Sequence, residues 1–209
     1  MTNGASADSS SPREATSKLN ILQIVPRIAA ESSGPSVSVP SISRALEQLG
    51  HDVSLFTLEP RPSQLIFERS HFFPCPKFPL AHRLGFSPAM KAALREEIQN
   101  QEIVHSNSVW MMPNIYPGII RSRGRAKLVI SPRGTLSEWA LSRSRIRKAI
   151  VWRLGQRKAL ETADCIHVTS SEELEDVRRL GLKQPVAVIP NGVRSEEHTS
   201  ELQSHSDLV

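Results

Sequence analysis

Three short polar segments in the sequence carry side chains suited to binding a polar ligand. His105 and Asn107 end one apolar run, and Arg133-Gly134 follows another. An arginine offers a planar fork of donors that matches phosphate or carboxylate, and a glycine beside it gives a ligand close access to the main chain. Gly34 precedes a helical pattern, and the free amides at a helix amino terminus attract anions. We therefore take Gly34, His105, Asn107, Arg133 and Gly134 as candidate substrate-binding residues.

Each of these segments also has an ordinary structural explanation. Residues 31–35 contain one glycine, not the spaced glycines of a dinucleotide fingerprint or a P-loop, so a plain strand-to-helix turn explains them as well. A lone histidine such as His105 at a strand end is more often structural than functional. For the loop around Arg133, we favour a role in ligand binding over an ordinary surface turn. None of these residues is identified as catalytic by its type and spacing.

The surrounding pattern predicts the elements that position these residues. Most of the β-prone apolar runs are nearly continuous, as expected for parallel strands buried on both faces. They cover residues 21–25, 53–58, 103–105, 127–131, 165–168 and 186–190. Helical patterns lie between them, which predicts an α/β fold with a Rossmann-like parallel sheet flanked by helices. Ligands bind such sheets at the carboxyl ends of the strands, so Gly34, His105 and Arg133 should share one edge.

The helical patterns have recognisable ends. Apolar residues at helical spacing recur in four segments: Ile42, Ala45, Leu46 and Leu49; Met90, Leu94 and Ile98; Ile146, Ile150 and Leu154; and Leu174, Val177 and Leu180. Gly50 and Gly181 stop the first and the last of these helices. Ser170 and Glu173 have the spacing of a capping box. Residues 59–88, rich in Pro and Phe, are interpreted as an irregular, partly packed loop.

Composition limits the class of protein. The 209 residues suffice for one domain, and no apolar run approaches the roughly 18 residues of a membrane span. Residues 1–18 form a polar leader that we expect to be disordered, and they lack the apolar core of a secretory signal. Cys75 and Cys165 are interpreted as reduced thiols, and we expect neither a metal nor a cofactor.

The charge of the chain indicates an anionic partner. Net charge is +5, and leaving out residues 194–209 gives 25 basic and 17 acidic residues, or +8. Residues 121–158 hold twelve basic side chains against the single acid Glu138, a pattern also found on solvated helix faces. Phosphate-bearing small molecules, anionic membrane and nucleic acid all fit such a surface. A basic nucleic-acid- or anion-binding module is the alternative, although aromatics are only 5% of the chain and no stacking motif is evident.

Several motifs together resemble the retaining glycosyltransferases of family 4, which have the GT-B fold. The resemblance covers residues 19–193. It rests on Gly50-His51-Asp52-Val53, on residues 105–110, on Ser131-Pro132-Arg133-Gly134 with residues 138–141, on Trp152, Gln156-Arg157, Ala163-Asp164 and residues 169–172, and on Val188-Ile189-Pro190-Asn191-Gly192-Val193. The closing Ile-Pro-Asn-Gly-Val element is fairly specific, because in such enzymes it begins the crossing into the second domain.

The resemblance implies an amino-terminal, acceptor-side half of an enzyme that moves a sugar from a nucleotide-sugar donor to a glycan or lipid-linked acceptor, as in cell-surface polysaccharide synthesis. Gly34 would face the diphosphate, and His105, Asn107 and Arg133 would line the cleft. Two positions depart from the family, because many relatives carry His where this chain has Pro132-Arg133 and Asn107. The resemblance therefore names no catalytic residue. It implies a cytoplasmic enzyme, peripheral to the inner face of the cell membrane.

The end of the chain does not fit the family. Relatives usually continue the Ile-Pro-Asn-Gly-Val motif with Asp, whereas Arg194 follows here, and residues 194–205 resemble a translated sequencing adapter. We interpret residues 194–209 as a non-native polar tail. On this interpretation the sugar-nucleotide-binding half is missing and the chain is inactive by itself. A stand-alone acceptor-binding subunit that works with a separate donor domain is the other possibility.

Overall fold

The computed structural model describes residues 17–28, 34–120 and 125–192. The predictions for the leader, apart from its last two residues, and for the tail 194–209 lie outside the described residues. Within the described part, the chain forms one seven-stranded sheet of order β3-β2-β1-β4-β5-β6-β7. Its strands are β1 (Asn20–Ile24), β2 (Asp52–Leu58), β3 (Ser70–Phe73), β4 (Ile103–Asn107), β5 (Lys127–Ser131), β6 (Cys165–Val168) and β7 (Val186–Val188).

Eight α-helices flank the sheet in the described ranges. They are α1 (Gly34–Gln48), α2 (Pro79–Leu84), α3 (Pro88–Glu97), α4 (Met112–Ile120), α5 (Glu138–Ser142), α6 (Arg145–Val151), α7 (Arg157–Glu161) and α8 (Ser171–Arg179). A π-helical turn, Trp152–Gln156, joins α6 to α7. None of the helices described is long and apolar enough to cross a membrane.

Every neighbouring pair in the sheet is parallel. In register, Gln23 of β1 lies opposite His105 of β4, and His105 lies opposite Val129 of β5. The carboxyl ends of all seven strands therefore meet at one edge, called here the carboxyl edge. This arrangement confirms the predicted fold, a parallel Rossmann-like sheet flanked by helices.

The core has two parts, because alternate side chains of a strand point to opposite faces of the sheet. In β1, Leu22 and Ile24 belong to one apolar cluster and Ile21 to the other. The larger cluster includes residues of α3, α4, α7 and α8, and the smaller one includes Val39 of α1. Burial on both faces explains why the strands appear in the sequence as continuous apolar runs.

The predicted helix ends are present in the structure. Helix α1 ends at Gln48, just before Gly50, which adopts a left-handed conformation with φ +94° that suits glycine. Gly181 does the same after α8, with φ +76°. At the start of α8, Ser170 Oγ accepts a hydrogen bond from the backbone N–H of Glu173. The Ser170 half of the predicted capping box is therefore formed.

Two regions differ from the sequence interpretation. Residues 59–88, interpreted as an irregular loop, contain the edge strand β3 and the short helix α2. Prolines near these two elements disturb the local sequence pattern, so the sequence did not predict them. Proline is nevertheless tolerated beside an edge strand and at the first turn of a helix. Helix α4 was not predicted because Pro113 and Pro117 interrupt its pattern. Pro113 lies in the first turn, where its missing N–H removes no intrahelical hydrogen bond.

Candidate functional site

Arg133 occupies the centre of the carboxyl edge, two residues after β5. Its backbone is in the left-handed region, with φ +56°. One terminal nitrogen of the guanidinium donates to Asn191 Oδ1 at 2.6 Å, and the other donates to Asn107 Oδ1 at 2.8 Å. Its Nε is buried and has no hydrogen-bond partner among the described residues. The two asparagines thus hold the fork in place, and each terminal nitrogen carries a second N–H besides the one that an asparagine accepts.

Asn107 holds Arg133 from inside the fold. It is the last residue of β4 and is fully buried. Its Nδ2 donates to Gln23 Oε1 at 2.9 Å, so its carbonyl oxygen is the atom left to accept from Arg133. The backbone carbonyl of Asn107 accepts from Asn114 Nδ2 at 2.8 Å. The side-chain amide of Asn107 is therefore oriented by Gln23 on β1 and by Arg133, while Asn114 on α4 holds the backbone of the residue.

Three side chains on adjacent strands form a second hydrogen-bonded row beneath Arg133. His105 Nε2 lies 2.7 Å from Ser131 Oγ, and the same oxygen lies 2.7 Å from His167 Nδ1. His167 Nε2 lies 3.0 Å from the backbone carbonyl of Ile189 and must donate to it. When His167 is neutral, its Nδ1 accepts from Ser131, whose oxygen then accepts from His105 Nε2–H. In this uncharged arrangement each hydrogen bond of the row has one donor and one acceptor.

This row does not tolerate a charged His105. Burial, and in smaller measure His167 and Arg133, lower the pKa of His105 from the ordinary 6.5 to about 3. His105 is therefore neutral near pH 7. In the structure it lies inside β4, because that strand continues to Asn107 and does not end at residue 105. Its Nε2 is engaged with Ser131 Oγ.

Glu173 ties the Arg133 loop to α8. This buried carboxylate accepts from the backbone N–H and the hydroxyl of Thr169, at 2.7 and 2.8 Å, and from the backbone N–H of Gly134. The Gly134 amide is thus already used within the protein, although the residue itself is exposed and adopts φ +72°. Burial lowers the pKa of Arg133, and the charge of Glu173 acts in the opposite direction. Arg133 remains a cation, since arginine does not deprotonate in proteins.

Gly34 lies apart from these contacts. It is exposed, it begins α1, and a side chain added there would meet no atom within 4 Å in the described structure. Helix α1 follows β1, so Gly34 comes after the carboxyl end of a strand, as Arg133 does. Within the described ranges no hydrogen bond joins it to Asn107 or Arg133. The structure thus brings Asn107, Arg133, Gly134 and His105 into one connected cluster and leaves Gly34 outside it.

Several members of the cluster were not predicted from sequence. Gln23, Ser131, His167 and Asn191 are brought together by the pairing of strands β1, β4, β5, β6 and β7, and no local pattern reveals that pairing. Glu173 was interpreted only as part of a helix cap. His167 carried one usable signal, because it alternates with apolar neighbours in a strand. In the parts of the chain that the structure describes, no three His, Cys, Asp or Glu side chains are grouped to hold a metal.

Solved structures share this fold. A chain of sucrose-phosphate synthase from Thermosynechococcus elongatus has a TM-score of 0.60 at 20% identity, with 89% of the present chain and 53% of that chain covered. A second structure of this synthase from the same organism has a TM-score of 0.56 at 20% identity, covering 89% of this chain and 96% of that one. A putative UDP-N-acetylglucosamine 2-epimerase from Listeria monocytogenes has a TM-score of 0.58 at 13% identity, covering 82% of this chain and 44% of that one.

The sequence itself identifies the family. No curated protein sequence matches the chain. The family model described as Glycosyltransferase Family 4 matches residues 32–197, which is most of the chain and includes every residue of the cluster around Arg133 except Gln23. The match agrees with the motifs from Gly50 to Val193 and with the parallel sheet. The chain belongs to glycosyltransferase family 4.

Proposed function

We propose that this protein acts in the transfer of a sugar from a nucleotide-sugar donor to a hydroxyl of a glycan or lipid-linked acceptor, in cell-surface polysaccharide synthesis. The observation that carries the proposal is the Arg133 guanidinium, which Asn107 and Asn191 fix at the carboxyl edge and whose terminal nitrogens each carry a second N–H. A fixed cation at that edge suits the charge of a departing nucleoside diphosphate.

The candidate residues take different roles in this proposal. Arg133 contacts the donor phosphates, and the amino terminus of α1 at Gly34 offers free amides to the same diphosphate. Asn107 positions Arg133, to which it is hydrogen-bonded at 2.8 Å. His105 supports the edge through Ser131, while Gly134, whose N–H is held by Glu173, leaves space for a ligand beside Arg133. No catalytic residue is assigned, because the groups around the sugar have to come from both sides of a cleft.

The remainder of the cleft belongs to a second domain in this proposal. The chain spans 53% and 44% of two solved chains that share its fold. We infer that residues 1–209 bind acceptor and part of the donor but do not transfer sugar alone. A nucleic-acid-binding module is the weaker candidate, because membership of a glycosyltransferase family favours an enzyme over a binding module.

A transfer assay tests the proposed function. The gene is resequenced past the codon for Val193, and its complete product is incubated with a panel of nucleotide sugars and membrane or glycan acceptors. We expect sugar transfer with one donor class by the complete product and none by residues 1–209. Robust transfer by residues 1–209 would contradict the division of the site between two domains. Absence of transfer with every donor by the complete product would overturn the function itself.

We further propose that residues 194–209 are a non-native tail. Leu202, Leu208 and Val209 are their only large apolar side chains, and burying three such groups contributes about 5–9 kcal/mol. Ordering sixteen residues costs about 1–2 kcal/mol each in backbone entropy. Deletion of residues 194–209 should therefore leave the melting temperature within about 2 °C of the parent chain. A fall of more than a few degrees would show that the tail is part of the fold.

The proposed location follows from the acceptor. A lipid-linked acceptor lies in a bilayer, so we place the enzyme in the cytoplasm with peripheral contact to the anionic inner face of the cell membrane. The charge of +8 for residues 1–193 supports contact with an anionic surface.

A further inference from the structure

The segment from α5 to the π-helical turn exposes four large apolar side chains to solvent. Trp139 is 70% exposed, Ile146 80%, Ile150 52% and Leu154 79%. Ile146, Ile150 and Leu154 follow one another at intervals of four residues, so they succeed one another along one side of the helical segment. Single exposed apolar residues are ordinary, but three along one side of a helical segment, with the exposed Trp139 on the preceding helix, indicate a contact surface. We call these four residues the apolar row.

The apolar row is not the inward face of its helix. Another side of α6, with Arg145, Lys148 and Ala149, lines a cavity of about 390 Å³ together with Trp110 and Trp152. The ammonium of Lys148 lies 5.5 Å from the centre of the Trp110 ring. Helix α6 thus already has a side turned toward the domain, and the apolar row points elsewhere.

Basic side chains surround the apolar row. Residues 138–158 contain seven Lys or Arg and one acid, Glu138. Glu138 is itself paired with Arg179 on α8, at 3.3 Å. Arg143 places its guanidinium 4.8 Å from the centre of the Trp139 ring, and Arg147 and Arg153 are exposed. Of the seven cations, Arg157 is paired with Glu161 at 2.8 Å. The segment therefore presents apolar groups within an excess of positive charge.

The combination of exposed apolar side chains and basic side chains favours an anionic bilayer over the other partners of a basic surface. A purely apolar protein surface covering the row would desolvate the surrounding cations without pairing them, which is costly. An anionic bilayer satisfies both features, because its acyl boundary accepts the apolar side chains while its headgroups pair with Lys and Arg. Tryptophan also favours the level of the headgroups, where its ring is partly buried and its N–H remains solvated.

We propose that residues 138–158 dock the protein on the surface of an anionic lipid bilayer, with the apolar row inserted at the headgroup boundary. The inference rests on the peripheral membrane contact included in the proposed function, and it names the surface that makes that contact. Docking there does not use Arg133, so it can be tested without sugar nucleotide.

Vesicle flotation of the full chain, residues 1–209, tests the proposal. One set of vesicles is phosphatidylcholine, and the other contains phosphatidylglycerol in addition. We expect flotation with the anionic vesicles, little with the neutral ones, and weaker binding as salt is raised. The double variant Ile146→Gln and Ile150→Gln should lower the partition coefficient at least about tenfold. The double variant Arg147→Gln and Arg153→Gln should lower it by about tenfold or more.

Matched controls separate docking from general effects. Leu49→Gln removes an apolar side chain that is 70% exposed on the turn after α1, and Arg44→Gln removes an exposed cation on α1. Both should float as the parent chain does. Circular dichroism melting shows that each variant is folded.

Three results would overturn the proposal: no binding of the parent chain to anionic vesicles, equal binding to neutral ones, or undiminished binding by the isoleucine variant. The parent chain could instead self-associate without binding vesicles, and the isoleucine variant could abolish that self-association. That result would assign the surface to contact with a second copy of the chain. A failed transfer assay leaves flotation unaffected, so the two proposals fail separately.

Discussion

The side chains of the carboxyl edge are mostly buried and hydrogen-bonded, whereas many of those in the segment 138–158 are exposed. At the carboxyl edge, Asn107 is fully buried and the guanidinium of Arg133 is hydrogen-bonded to two asparagines. In the segment 138–158, Ile146 and Leu154 are about four-fifths exposed. A network of buried hydrogen bonds fixes positions to fractions of an ångström, which suits recognition of one small ligand. Loosely held apolar and basic groups suit a fluid partner that requires no fixed register.

The comparison predicts that substitutions at the carboxyl edge affect stability most. Asn107→Leu removes the partner of both Gln23 and Arg133 and leaves their polar groups buried. We expect the free energy of unfolding to fall by about 2–4 kcal/mol. Urea unfolding of residues 1–209 measures this. Asn191→Ala is the matched control, because it removes an exposed partner of the same guanidinium and should cost less than about 1 kcal/mol. Equal losses in the two variants would mean that Asn107 does not organise the edge.

The histidine row predicts how stability depends on pH. The pKa of His105 is about 3 in the folded protein and 6.5 when unperturbed. Between these two pH values the unfolded chain therefore binds a proton at this residue and the folded chain does not. This contribution leaves stability unchanged above pH 6.5 and lowers it as pH falls toward 3. His105→Gln should flatten that slope while keeping a donor for Ser131. His82→Gln, an exposed histidine on α2, should leave the slope in place. Denaturant midpoints measured at several pH values test this prediction. An unchanged dependence of stability on pH in His105→Gln would contradict it.

The segment 138–158 should show the smallest effect on folding. Because Ile146 and Ile150 are exposed, replacing both with glutamine should change the free energy of unfolding by less than about 0.5 kcal/mol per site. The same double variant is expected to lose vesicle binding. A loss of several kcal/mol in urea unfolding would show instead that these residues pack inside the fold, and the contrast between the two regions would disappear.

The sequence predicted the sheet better than it predicted the site. Continuous apolar runs identify buried parallel strands, and glycines at positions 50 and 181 identify helix ends, because both signals are local. The edge strand β3 and helix α4 were missed because Pro74, Pro113 and Pro117 disturb the local pattern. In each case the tertiary contacts outweigh the propensity of the segment.

At the carboxyl edge, Asn107 and Arg133 were chosen from the sequence because they lie at or just after the predicted ends of strands. It did not find Ser131 or His167 as partners of His105, because those contacts depend on strand order and register. The spacing of Ser170 and Glu173 correctly indicated a helix start. The Glu173 carboxylate, however, accepts from Thr169 and from Gly134, thirty-nine residues earlier in the chain. Long-range pairing of this kind is not visible in a single sequence.

The central claim is that Arg133 at the carboxyl edge serves sugar transfer. The most direct measurement is kcat/KM for the complete gene product, read past the codon for Val193, with and without Arg133→Gln. Removing one preorganised donor to a developing charge costs a factor of about 10²–10³, and we expect a loss of that size with the fold intact. Arg44→Gln, which removes an exposed cation on α1, should retain the parent value. Full activity in Arg133→Gln would contradict the account and place the donor phosphates elsewhere.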